Sequence, residues 1–410
     1  MYIHITMPDH RFLLLNENQG VIQSLFYNDA LSSTTISTLI GKSIPNVNKV
    51  LTMLVKEGYV EENGYAISSG GRKPLKYSLV AGTHLLISVA LSQYSIRIVA
   101  IDMKGRFLNK VEQHAINITQ LKAEEVVSYI NDFIARSSID KTKVLGIGVT
   151  MPGFLSTEAG INYSFLPVEG LSLREYLQQN IQLPIFIEND STAIALGEQK
   201  FGVARQENDA MVINLGWGIG LGMIVGGKIF RGHSGLAGEF SHIPLVKNGK
   251  LCTCGKRGCL ETESSLMAIT EKAIMEMEQG EVSSLANYAQ LDADTIINEA
   301  IKGDTLSVKL ISEAAYNVGQ GIAILIHLMD PAVIVLSGKG SVVGKLWLSP
   351  IQQAINEHCI PRLAHGTELK VSDLNSKAQL LGGAVLVIES IGDLLISRIK
   401  ELEKDHLFEV

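Results

Sequence analysis

From residue 84 onward the chain alternates between two kinds of segment. Apolar runs rich in β-branched residues ("HLLISVALS", "SIRIVAIDMKG", "VLGIGVTMPG", "PIFIEND", "AMVINLGWGIGLGMIVGGKIF", "AVIVLSGKG") often end in glycine-rich turns. Amphipathic stretches such as "AEEVVSYINDFIARS" and "DTLSVKLISEAAYNVGQGIAILIHL" lie between several of them. Strands alternating with helices predict an α/β fold with mostly parallel central strands. The runs fall into two groups, so two lobes are expected, over residues 81–205 and 206–385. A last helix, within "AVLVIESIGDLLISRIKELEK", is expected to return to the first lobe, which adds residues 386–410 to it. A chain of 410 residues exceeds what one core supports, which fits this division.

Residues 1–80 follow another pattern. In "TISTLIGKSIPNVNKVLTMLVKEGYVEENGYAIS" a short helix from Thr35 to Ile40 meets a turn at Gly41 and Lys42. Ser43 is placed to cap a second helix, with Pro45 in its first turn. Ile44, Val47, Val50, Leu51, Leu54 and Val55 form the expected buried stripe, which leaves Asn46, Asn48, Lys49 and Thr52 on the open side. "YVEENGYAI" reads as a hairpin turning at Asn63 and Gly64. Helix, turn, helix and hairpin make a winged helix-turn-helix, whose second helix enters the major groove of DNA. Between residues 42 and 76 the basic side chains are Lys42, Lys49, Lys56, Arg72, Lys73 and Lys76, against Glu57, Glu61 and Glu62. This stretch is therefore basic within a chain of net charge −7, as phosphate contacts require. Ser43, Asn46, Asn48, Lys49, Arg72 and Lys73 are the expected DNA contacts. The competing reading is a winged helix that binds only protein.

Three of the four cysteines stand in "CTCGKRGCLE" as Cys252, Cys254 and Cys259. The first residues contain no basic flank leading into an apolar stretch, so no secretory signal is expected. The longest apolar run is broken by His327, Asp330 and Pro331, so no membrane span is expected either. A cytoplasmic location follows, where thiols stay reduced and bind metals in preference to forming disulfides. The C-x-C-x4-C spacing, with Gly255 and Gly258 at its turns, suits structural zinc, which takes four tetrahedral ligands. His242, ten residues upstream, is the best fourth ligand. Glu239 and Glu261 are then held near the same point, where two carboxylates and an imidazole would grip sugar hydroxyls. Cys359 stands alone and is expected to be a buried, inert thiol.

"GHSGLAGEFSHIPL" followed by "CTCGKRGCLE" resembles the signature of the ROK family of sugar kinases and repressors. The resemblance covers the whole chain and matches the repressor branch, which includes regulators responding to glucose, N-acetylglucosamine and xylose. It implies a two-lobed fold of the actin-like, hexokinase-like ATPase type behind the winged helix. It also implies sugar contacts at Gly153, Asn189, Asp190, Glu239, His242 and Glu261, and zinc ligands at His242, Cys252, Cys254 and Cys259.

A kinase of this family carries Asp-x-Gly-Gly-Thr in its first phosphate loop. Here the matching residues, from Ala90 to Tyr94, read "ALSQY". Ser92 and Gln93 put side chains where the backbone would approach phosphate. The second loop, Gly-Thr-Gly-x-Gly, reads "GWGIG", with Trp217 in place of the hydroxyl. Phosphoryl transfer rests on positioning and neutralising those phosphates, so no enzyme activity is expected, and Asp190, the vestigial base, becomes a hydroxyl acceptor. Trp217 either plugs the nucleotide side or stacks on a sugar ring.

The expectation is a sugar-responsive transcriptional regulator, a repressor of carbohydrate-utilisation genes. Its partners would be operator DNA, a sugar or sugar-phosphate effector, and further copies of itself as a dimer or tetramer. The resemblance places coupling in the zinc-braced loop and the C-terminal helix. The alternatives are an active sugar kinase and a repressor controlled by a transport-system protein.

Overall fold

The computed structural model describes the backbone of residues 18–66 and 73–406, and the side chains among them except at residue 391 and residues 393–406. The N-terminal part runs α1 (Gln19–Phe26), β1 (Leu31–Ser32), α2 (Ser33–Ile40), α3 (Ile44–Lys56), β2 (Val60–Tyr65) and β3 (Leu75–Leu79), with the strands ordered β1-β3-β2. Helix α2 starts two residues before Thr35 because Ser32 Oγ accepts the Thr35 amide (3.1 Å). Gly41 ends it at φ +63°, a conformation open to glycine without strain. Ser43 takes the expected N-cap position of α3, but its side chain makes no capping bond. Pro45, with its preset φ, helps to begin the helix instead.

Val47, Leu51 and Leu54 are buried and Val50 and Val55 half-buried, but Ile44 is 42% exposed. It stands at the first helical position, where it is left largely uncovered. A second difference concerns the wing. Asn63 and Gly64 do not turn the hairpin; they form a bulge within β2, where the register to β3 shifts between Glu62 and Tyr65. Gly64 adopts φ +66°, and Asn63 Nδ2 donates to Ser78 Oγ (3.2 Å), which keeps the bulge in the sheet. The connection between β2 and β3 includes residues 67–72, and Arg72 lies outside the described residues.

Two further sheets repeat one topology. The first comprises β4 (Leu85–Leu91), β5 (Ser95–Asp102), β6 (Glu112–Ala115), β7 (Val144–Met151) and β10 (Ile185–Asn189). A two-stranded ribbon, β8 (Leu155–Ser156) and β9 (Ile161–Asn162), precedes β10. The helices here are α4 (Ala123–Arg136) and α5 (Leu173–Ile181), followed by α6 (Asp190–Phe201). The second sheet comprises β11 (Ala210–Leu215), β12 (Ile219–Val225), β13 (Lys228–Ile229), β14 (Val333–Ser337) and β15 (Glu368–Val371). Its helices are α7 (Leu260–Ser264), α8 (Leu266–Glu278), α9 (Ala293–Lys302), α10 (Thr305–Met329), α11 (Lys345–His358) and α12 (Pro361–Ala364).

The orders are β10-β7-β4-β5-β6 and β13-β12-β11-β14-β15. In each, three strands run parallel (β4, β7, β10; β11, β14, β15) and the other two extend the sheet as an antiparallel meander. The parallel strands are almost wholly buried in the middle, β7 at all eight positions, as their apolar runs require.

The last helix, α13 (Lys377–His406), begins nine residues before the expected boundary at 386. Its early turns lie on the first sheet so closely that a Cβ at Gly148 would fall 2.1 Å from the Gly383 carbonyl oxygen. One buried cluster joins Val21, Leu25, Phe26, Leu51 and Leu54 of the N-terminal part to Leu86, Val99 and Ile101 of the first sheet and Val387 and Ile388 of α13. No helix among the described residues is long and apolar enough to cross a membrane.

Candidate effector, metal and DNA-binding sites

The cysteine loop is pinned by backbone bonds before any metal is considered. Cys252 N donates to Lys256 O (2.7 Å) and Gly255 N to Cys252 O (2.9 Å). Gly258, at φ +73°, lies so near the incoming chain that a Cβ would be 1.8 Å from the Val246 carbonyl oxygen. These bonds bring the sulfurs of Cys252, Cys254 and Cys259 and a ring nitrogen of His242 within 4.8 Å of one another. The Cys254 and Cys259 sulfurs are 3.6 Å apart, and Cys252 Sγ is 3.5 Å from His242 Nδ1. A zinc tetrahedron with bonds near 2.3 Å has sulfur–sulfur edges of about 3.8 Å, so the four donors fit such an ion. Burial, reinforced by the neighbouring thiols, pushes the Cys259 thiol up to about 12. Cys252 and Cys259 are buried and Cys254 is exposed; a divalent cation would supply the charge that three deprotonated thiols need. His242 directs Nδ1 at this cluster and Nε2 towards Glu239 Oε2, 3.8 Å away. One imidazole thus stands between the thiol cluster and Glu239. Cys359 is buried and apart from the cluster.

Asn189 ends β10 and caps α6, its Oδ1 accepting the Ser191 and Thr192 amides (2.9 and 3.2 Å). Its Nδ2 donates to the Gly153 carbonyl (3.3 Å), which draws the turn after β7 to the same point. Gly153 itself has φ +100°, and a Cβ there would lie 2.7 Å from Ser164 Cβ. Asp190 opens α6. Its Oδ1 accepts from Ser191 N (2.7 Å), and its Oδ2 faces Asn214 Nδ2 at 3.4 Å.

Glu261, on α7, accepts a bond from the Ile219 amide. Burial raises the pKa of Asp190, Glu239 and Glu261 alike. The charge of Glu261 raises Asp190 and Glu239 further, while His242 pulls Glu239 and Glu261 back. Glu261 is thus near enough to Asp190 and Glu239 to bias their charge, and His242 to bias Glu239 and Glu261. Hydroxyl groups donating to such carboxylates relieve both desolvation and repulsion, which suits a polyol.

Three participants were not singled out in the sequence. Asn214 orients Asp190 from within β11, and a lone Asn in "AMVINLG" was its signal. Glu188, 1% exposed, precedes Asn189 and pairs with Arg231 (2.6 Å). That pair joins β10 to the segment after β13, hence one sheet to the other.

The first turns of the two sheets meet through aromatic side chains. Trp217, from the β11–β12 turn, meets Tyr94, from the β4–β5 turn, edge to face at 4.7 Å. Lys339 Nζ lies over the indole at 5.4 Å and pairs with Asp294 (2.7 Å). Ser92 closes its own turn, accepting the Ser95 amide (3.1 Å). In the N-terminal part, Ser43, Asn46, Asn48, Lys49 and Lys73 are all exposed. Glu61 pairs with Lys104 (2.8 Å) of the first sheet's β5–β6 connection.

A model of the ROK family matches residues 86–390. The chain is 29% identical over 394 residues to the xylose repressor of Caldicellulosiruptor bescii, covering 94% of this chain and 98% of that protein. A crystal structure of a ROK family transcriptional regulator, described as a homolog of the E. coli MLC protein, superposes with a TM-score of 0.75 at 25% identity. It covers 95% of this chain and 100% of its own. A ROK family glucokinase from Streptomyces griseus, solved with glucose and AMPPNP, superposes with a TM-score of 0.64 at 29% identity, over 74% of this chain and 98% of its own.

Proposed function

The chain belongs to the ROK family, and from that premise we propose that it is a sugar-responsive DNA-binding transcriptional regulator, a repressor of carbohydrate-utilisation genes. The observation that carries this reading is the asymmetry of the cleft. One end keeps polar groups suited to sugar hydroxyls, with the carboxylates of Asp190, Glu239 and Glu261 as acceptors beside Asn189 and His242, while Tyr94 and Trp217 meet in the two turns that match a kinase's phosphate loops. Their contact supports Trp217 as a plug rather than a platform for a sugar ring. Without a phosphoryl donor Asp190 accepts a hydroxyl proton only as a hydrogen bond, and the protein is not an enzyme.

The reading divides the chain into a winged helix (1–80), a first lobe (81–205, completed by the last helix) and a second lobe (206–385). Zinc held by His242, Cys252, Cys254 and Cys259 braces the second lobe, and through His242 it fixes Glu239. The exposed face of α3, with Ser43, Asn46, Asn48 and Lys49, reads the major groove, and Lys73 with Arg72 contacts the backbone beside it. A dimer sets two such helices on a palindromic operator, in the cytoplasm. The named relatives make D-xylose and D-glucose the first effectors to test.

Selection of genomic fragments by the purified protein, followed by sequencing, should enrich one palindrome. Sugar should then change affinity for that site, and Glu239→Ala or Glu261→Ala should leave operator binding intact while removing the response. Absence of any enriched site, or a response to no sugar in a broad panel, overturns the reading. The similarity to a glucokinase keeps phosphoryl transfer as the rival, and a coupled assay for ADP release distinguishes it.

A further inference from the structure

Helix α6 has its two ends in different places. Its N-terminus is part of the effector site: Asn189 caps it and Asp190 is its first residue. Its C-terminus and the turn beyond carry the N-terminal module. The Phe201 ring meets Phe26 and Tyr27 of the α1 region edge to face (5.9 and 6.0 Å). Lys200 Nζ lies over the Tyr27 ring at 4.9 Å. Arg205 donates to the Tyr27 carbonyl and to Asn28 Oδ1. Helix α13 completes this seat, where Gln19 donates to the Glu389 carbonyl (2.9 Å) and Lys200 pairs with the Glu389 carboxylate (3.0 Å).

Between its ends α6 has little freedom to bend. A Cβ at Gly382 of α13 would stand 1.8 Å from the Ala193 carbonyl oxygen, and one at Gly222 of β12 would stand 2.4 Å from Ala195 Cβ. The helix is clamped between α13 and the second sheet, with backbone in contact on both sides. Its 12 residues span about 18 Å. A helix so packed moves as a body, because close-packed interfaces switch between arrangements rather than deform.

We propose that α6 is the element that couples the sugar site to the DNA-binding module. A sugar that repositions Asn189 and Asp190 shifts the whole helix, and the seat at Lys200, Phe201 and Arg205 carries α1 with it. The orientation of α3 towards an operator half-site changes in consequence. This inference rests on the functional reading above and moves the coupling route away from the zinc loop, which braces the carboxylates at the helix's other end. The shift can amount to no more than the sugar's differential affinity for the two arrangements.

The test uses the full-length protein, the selected operator, and D-xylose, D-glucose and N-acetyl-D-glucosamine as probes. Operator affinity is read by fluorescence anisotropy with and without sugar, and sugar affinity separately by calorimetry. In the wild type the active sugar should change operator affinity within the usual allosteric range, about 5- to 150-fold. Arg205→Ala and Phe201→Ala should bind the sugar as the wild type does and still bind operator, with the sugar effect reduced to less than about 2-fold, well below that range. Thermal unfolding checks that each variant is folded. Arg205→Ala removes only exposed hydrogen bonds and decides the matter if Phe201→Ala does not fold. Loss of response in a folded variant supports the proposal, and a full response in every folded variant overturns it alone. A wild type that responds to no sugar overturns the functional reading, and this inference with it.

Discussion

At the residue scale, the cysteine loop and the carboxylates form one unit through His242. Its Nδ1 serves the thiols and its Nε2 faces Glu239, so loss of metal should loosen a carboxylate as well as a loop. A metal-bound histidine is commonly held in place by a carboxylate at its other nitrogen, and Glu239 occupies that position. Purified protein should carry about one zinc ion per chain, the content of a single four-ligand site. Cys259→Ala should abolish it and lower the melting temperature. A chelator should then lower the melting temperature of the wild type and leave that of the variant unchanged. Elemental analysis with parallel thermal melts checks this. Equal chelator sensitivity in both proteins would show that the cysteines do not hold the metal.

At the level of elements, glycine marks where helices meet backbone rather than side chains. Gly382 is the tightest case outside the loops, its Cα facing the Ala193 carbonyl of α6. Gly382→Ala forces backbone apart, and overpacking of this kind costs about 1–3 kcal/mol. Gly82→Ala is the control, since nothing lies within 4 Å of its added methyl. The expected result is a clear fall in melting temperature for the first variant and little change for the second. Equal melting temperatures would mean that α6 and α13 are not clamped, which would also weaken α6 as a rigid coupler. The wing teaches a related lesson. Asn63 and Gly64 have the composition of a tight turn, yet β3 lies far enough along the chain that the pair is taken up as a bulge.

Across the whole molecule, the lobes are fastened by buried polar groups that cross from α6 to the second sheet. Glu198 is fully buried and accepts hydrogen bonds from Ser337 (2.7 Å) and Ser372. Burial raises its pKa, against the two serines, which lower it. The folded protein therefore binds this proton more tightly than the unfolded chain does. The stability so contributed is full below the unfolded pKa of about 4.3 and is lost as pH rises through the higher folded value. Glu198→Gln keeps the acceptor and removes the titration. The wild type should therefore lose stability relative to this variant as pH is raised from the ordinary carboxylate range, read as the difference in melting temperature across a pH series. A difference that moves the opposite way would show that the fold holds Glu198 charged.

The chain's periodicity by itself determined the main buried strands and some of the helices between them. Strands β4, β7, β10, β11 and β14 coincide with apolar runs because a buried parallel strand needs apolar residues on both faces, and the antiparallel β5 and β12 do so because they too are mostly buried. That His242, Cys252, Cys254 and Cys259 come together was legible too, since all four lie within the short segment 242–259. Local pattern could not determine what comes from remote segments. Ile44 matches the apolar stripe yet is exposed, because burial depends on what covers a position. Glu188 and Arg231, or Tyr94 and Trp217, pair only because two sheets separated in sequence face one another. The seat of the N-terminal module on α6 and α13 joins Tyr27 to Arg205 and Gln19 to Glu389. Contacts at such separations leave no period in the sequence, so only the tertiary structure could place the candidate effector residues and the seat of the N-terminal module on the two ends of one helix.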